Sequence, residues 1–107
     1  MKHLKTYEII KNNDPQIEDY VICRVLYISN DKLKNLLNFI ENNIGLIVGL
    51  DTSSYNTRFV VEYDNIPKEI KNYFKSNVFF FSKEEIVKWS KSKKDLEIYI
   101  DANKYNL

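Results

Sequence analysis

The sequence predicts an α+β fold: a small curled antiparallel β-sheet with one inserted helix and C-terminal helices, forming a single domain over residues 1–107. Three observations predict it. Short β-branched and aromatic runs recur along the chain, each bounded by polar turn residues. One early stretch, Leu33 to Ile40, carries apolar residues at helical spacing, and capping signals return after Phe81. Two glycines and two prolines leave few obligatory breaks, so most of the chain is expected in regular structure or short turns.

Leu4 to Ile10 alternates imperfectly and reads as a first strand. Asn12-Asn13-Asp14-Pro15 follows as a turn, because Asn and Asp bond their own backbone and Pro15 keeps Asp14 out of helix space. Tyr20 to Ile28 is apolar on nearly both faces, as a buried strand is. Ser29-Asn30-Asp31 offers three N-caps for a helix whose stripe is Leu33, Leu36, Leu37 and Ile40. Asn42-Asn43 and Gly45 are expected to close it, since both residue types tolerate the left-handed conformation that ends helices.

Ile44 to Leu50 and Arg58 to Tyr63 read as a hairpin joined by the polar loop Asp51–Thr57, with Phe59, Val61 and Tyr63 facing the core. Asp64-Asn65-Ile66-Pro67 is a turn into a short helix with Pro67 at its first position and Ile70, Tyr73 and Phe74 on its apolar side. Val78 to Phe81 is a short strand. Ser82-Lys83-Glu84-Glu85 has capping-box spacing and predicts a helix with Ile86 and Trp89 inward. Ser92-Lys93-Lys94-Asp95 starts a further helix carrying Leu96, Tyr99 and Ile100, although Leu96 to Ile100 also alternates as a strand does.

Hydrophobic residues make up 44% of the chain and charged residues 29%, a composition that folds rather than stays disordered. Sixteen Lys+Arg against fifteen Asp+Glu leave a net charge of +1, so no overall field recruits nucleic acid or an anionic membrane. The longest apolar run, Val78-Phe79-Phe80-Phe81, falls far short of the roughly 20 residues of a membrane helix. Met1 to Lys5 is basic but no apolar signal core follows, and a single cysteine, Cys23, permits no intrachain disulfide. A cytoplasmic protein is expected, in the host cell if the chain is viral. Lysine dominates the basic residues, and Asn, Ile, Tyr and Phe abound, which are amino acids with A/T-rich codons. That pattern points to an AT-rich genome.

The stretch Asp19-Tyr20-Val21-Ile22-Cys23, followed by Ile44-Gly45-Leu46-Ile47, Phe59-Val60-Val61-Glu62-Tyr63 and Ile66-Pro67, resembles an SH3-like barrel of the KOW or Tudor type. Glu18 stands where that family usually has glycine, and a helix is inserted in the first barrel loop. The chain also resembles small uncharacterised proteins of phages and large DNA viruses with AT-rich genomes, which share similar segments, a Trp-Ser pair (Trp89-Ser90) and a Lys-Tyr-Asn-Leu ending (Lys104 to Leu107). The likeness spans residues 15–107. It implies a curled barrel and brings no activity with it.

Chemistry is sparsely provided. Metal binding needs several converging ligands, and one His and one Cys do not supply them, so no metal and no cofactor are expected. His3 reads as a solvated residue near the N-terminus. Cys23, in the most apolar strand, reads as a small hydrophobe; a minimal hydrolase using Cys23 with His3 is the weakest reading. Glu84, Glu85 and Asp64 are the nearest approach to paired carboxylates, and acids in a first helical turn already favour the positive end of the helix dipole. Two glycines cannot form a phosphate cradle. No catalytic residue is assigned, and the chain is expected not to be an enzyme.

One Trp, eight Tyr and six Phe exceed what a small core absorbs, so a binding surface is expected. Tyr55 sits in a polar loop near Arg58, a pairing frequent in binding hot spots. Tyr55, Arg58, Asp51 and Asn56 are the candidate partner-binding residues. The expected function is a non-enzymatic protein-binding module, such as a phage or mobile-element accessory protein that occupies a surface of a larger host or viral assembly, for example to inhibit a host defence system. The alternative is a nucleic-acid-binding SH3-like barrel using Lys88, Lys91, Lys93 and Lys94 around Trp89, since lysines can hold phosphates while an aromatic stacks a base.

Overall fold

The computed structural model describes residues 14–26, 33–52 and 57–105. The expected first strand Leu4–Ile10, the turn residues Asn12 and Asn13, and the caps Ser29-Asn30-Asp31 lie outside the described residues. The fold is α+β. Its elements run β1 (Tyr20–Cys23), α1 (Lys34–Asn42), β2 (Gly45–Asp51), β3 (Arg58–Glu62), a 3-10 helix (Lys68–Tyr73), β4 (Val78–Phe81), a 3-10 turn (Lys83–Glu85), β5 (Ile86–Ser90) and α2 (Lys93–Tyr105). The strands form one antiparallel sheet in the order β4-β3-β2-β1-β5. No helix among the described residues is long and apolar enough to cross a membrane.

The interior strand β1 is shorter than the expected Tyr20 to Ile28. It ends at Cys23, where Arg24 N–H turns to the Glu85 carbonyl, and Tyr27 and Ile28 lie outside the described residues. Over its length it is buried on both faces. Val21 and Cys23 join the main core, while Ile22, also buried, points to the opposite face. α2 lies against β1 and β5 and buries Leu96, which resolves Leu96 to Ile100 as helix rather than strand. On the main core side, Leu36 and Ile40 of α1 pack with Ile47, Phe59, Val61, Tyr63, Ile70, Phe74 and Phe81. Phe39, Tyr63, Phe74, Phe79 and Phe81 contact one another edge-on or tilted, with ring centroids 5.1 to 6.4 Å apart. Aromatic pairs in such arrangements add to what burial alone supplies.

α1 ends differently from the expectation. Neither glycine has a positive φ, and Gly45 opens β2. The side-chain amides of Asn42 and Asn43 instead donate to the carbonyls of Asn38 and Phe39, each at 2.8 Å, satisfying carbonyls that the last turn leaves open.

The capping box at Ser82 is present, but the helix expected after it is not. Ser82 N–H donates to Glu85 Oε1 at 3.0 Å, yet only one 3-10 turn forms and Ile86–Ser90 continue as β5. The other carboxylate oxygen of Glu85 accepts from Leu26 N–H at 3.0 Å, and its backbone carbonyl accepts from Arg24 N–H at 2.8 Å. Glu85 therefore ties the turn to the end of β1, and the chain leaves it extended. One helix, α2, stands where C-terminal helices were expected. The 3-10 helix Lys68–Tyr73 matches the expected short helix, with Pro67 just before it and Tyr73 exposed.

Among the described residues, four non-glycine residues have positive φ: Glu18, Asn65, Ser76 and Asn77. Ser76 and Asn77 are the central pair of a two-residue turn, since Lys75 and Val78 exchange backbone hydrogen bonds at 3.0 Å each way. Such turns favour Asn-Gly. Replacing Ser76-Asn77 by Asn-Gly is expected to raise stability by about 1 kcal/mol, read as a higher urea midpoint with unchanged slope. Glu18, at φ 78°, is pinned there because its N–H donates to the Ile47 carbonyl at 2.8 Å. Glu18→Gly relieves a left-handed conformation that costs a side-chain-bearing residue about 1 kcal/mol or more. The melting temperature should rise by about 4–8 °C, and a thermal melt with no rise would show that Glu18 is not strained.

Candidate interaction surface

The β2–β3 hairpin brings Asp51 and Arg58 together as cross-strand partners. Arg58 Nη2 donates to Asp51 Oδ2 at 2.6 Å, and the guanidinium lies over the Phe80 ring, 4.8 Å from its centroid. Phe80 is placed there by register: it pairs with Val60 on the sheet face opposite the core, while its neighbours Phe79 and Phe81 pair with Val61 and Phe59 on the core face. Arg58 is thus held from two sides while about half of its side chain, 48%, stays exposed. An ion pair this open adds little to stability; its effect is to orient the guanidinium.

Beside this pair, β2 departs from regular alternation. A bulge lies between Ile47 and Gly49, and the extra residue, Val48, is 43% exposed, with Leu50 at 46%. Bulges re-aim side chains in this way. Leu50 pairs with Phe59 and so lies on the core-side face, opposite the one that carries Arg58 and Phe80. The two exposed aliphatic residues share β2 near the hairpin end but do not stand together beside the arginine. Val48, Leu50 and Phe80 were missed in the sequence because Val78-Phe79-Phe80-Phe81 has no polar residue to mark its outer face, and a bulge has no composition of its own here. Of the expected partner-binding residues, Asp51 and Arg58 are brought together; Tyr55 and Asn56 lie outside the described residues.

The lysine cluster is divided. Trp89 pairs with Val21 and packs against the core. Lys88 lies on the other face, its ammonium 5.2 Å from the Tyr99 ring centroid. Lys91 Nζ stands 2.8 Å from Asp19 Oδ1, at an angle outside hydrogen-bond geometry, so the contact is ionic. Asp19 itself is buried, and its Oδ2 accepts from Gln16 N–H at 2.9 Å. Lys93 and Lys94 are exposed at the start of α2. The five residues do not form one platform around the indole.

Cys23 is fully buried, and that burial pushes its thiol well above the ordinary range, with the Glu85 carboxylate adding to the rise and the Tyr63 hydroxyl opposing it. A thiol held protonated is no nucleophile. Tyr63 is likewise raised, first by burial and then by Cys23; its hydroxyl faces the thiol without a hydrogen-bond partner of good geometry among the described residues. His3 lies outside the described residues. Glu85 is engaged in the turn described above, and Glu84 is exposed. Asp64 lines a polar cleft with Asn42, Asn65, Lys93, Glu97 and Asp101. Among the described residues no group of three or more His, Cys, Asp or Glu side chains is arranged to hold a metal ion.

No protein-family model, no curated protein and no solved structure matches this chain.

Proposed function

We propose that this protein is a non-enzymatic protein-binding module of the SH3-like type, whose contact surface is the end of the β2–β3 hairpin. The observation that carries it is the half-exposed Arg58 guanidinium, fixed between Asp51 and Phe80. Arginine and aromatic side chains are enriched in interface hot spots, and a pre-oriented side chain loses less entropy on binding. The SH3-like reading draws support from two features. The strands run as a meander whose last member returns beside the first. Glu18 adopts a left-handed conformation at the position where that family usually carries glycine. The A/T-rich codon signature fits an AT-rich genome, such as that of a low-GC bacterium, a phage or a large DNA virus, and on this reading the module occupies a surface of a larger host or viral assembly.

Affinity capture from host lysate with the wild-type chain, beside an Arg58→Ala variant, tests the surface. A specifically retained protein should be lost at least tenfold with the variant, while its circular dichroism melt stays within a few degrees of wild type. Equal retention by both chains would reject the hairpin end. The competing reading, a nucleic-acid-binding barrel, draws on the same SH3-like resemblance. A gel shift with mixed DNA and RNA at low salt separates the two, because phosphate contacts weaken steeply as salt rises. A retarded species abolished by salt and by Lys93→Glu/Lys94→Glu would replace the protein-binding reading.

A further inference from the structure

We draw no further inference here: the strongest candidate, the polar cleft of about 320 Å3 between the C-terminal end of α1, the Asp64-Asn65 turn and α2, rests on a cluster of acidic side chains (Asp64, Glu97 and Asp101) with no second feature in the structure that points to a ligand.

Discussion

Gly45→Ala is expected to destabilise the protein by about 3 kcal/mol, the upper part of the range for forcing a methyl group into a packed interior. A Cβ at this position would overlap Val61 Cγ1 and stand 3.0 Å from Cε1 and Cζ of Tyr63. Val61 and Tyr63 are themselves buried, at 0% and 2% exposure, so neither can swing into solvent. The φ of Gly45 is not positive, and the backbone accepts alanine without strain; the cost is packing alone. Two companion variants separate that cause from a general intolerance of β2. At Gly49 an added Cβ meets only Val60, at 3.9 Å, and Gly49→Ala should change stability by less than about 0.5 kcal/mol. Val61→Ala removes the overlapped methyl groups, so the double variant should be more stable than the two single losses summed. Urea denaturation of wild type, the three single variants and the Gly45→Ala/Val61→Ala double variant measures this, and strict additivity would place the cause elsewhere.

That glycine shows why parts of the fold were legible and others were not. Two uses of glycine read alike in sequence: freedom to adopt positive φ, and lack of a side chain. Gly45 follows Asn42-Asn43, so the first use suggested itself; the second depends on Tyr63 and Val61 of a different strand, which local pattern does not reveal. The β5 segment misled in a related way. Ile86 and Trp89 both face the core three residues apart, a spacing that indicates a helix. In the sheet, Cys23 pairs with Ile86 and Ile22 with Lys88, leaving Val87 as an extra residue, and that bulge turns a period of two into a spacing of three. By contrast, α1 and the inward set Phe59, Val61 and Tyr63 of β3 were legible because each obeys one uninterrupted period, and the β2–β3 hairpin because two apolar runs flank one polar loop, although the bulge in β2 was not. In the candidate surface, the Asp51–Arg58 pair followed from the hairpin, whereas the place of Phe80 needed the register of β4.

Stability is expected to fall as the solution is made alkaline, in two steps set by a buried pair. Burial raises the Cys23 thiol, so the folded chain keeps a proton that the unfolded chain releases above about pH 8.5. The stabilisation from the neutral thiol is complete below that pH and declines as pH rises, by about 1.4 kcal/mol per unit. Tyr63, raised by the same burial, adds an equal slope once the unfolded phenol ionises above about pH 10. Between pH 8.5 and 10 the wild-type chain should therefore lose roughly 2 kcal/mol relative to Cys23→Ala, whose curve lacks the first step. Tyr63→Phe should retain the first step and lose the second. At pH 7 it should be no less stable than wild type, because it removes a buried hydroxyl that has no well-placed partner among the described residues, and such a group carries an uncompensated desolvation cost. Urea midpoints measured from pH 7 to 10.5 on the three chains decide this. Parallel curves for wild type and Cys23→Ala would mean that the thiol ionises as freely in the folded chain as in the unfolded one, which a fully buried side chain beside Tyr63 does not do.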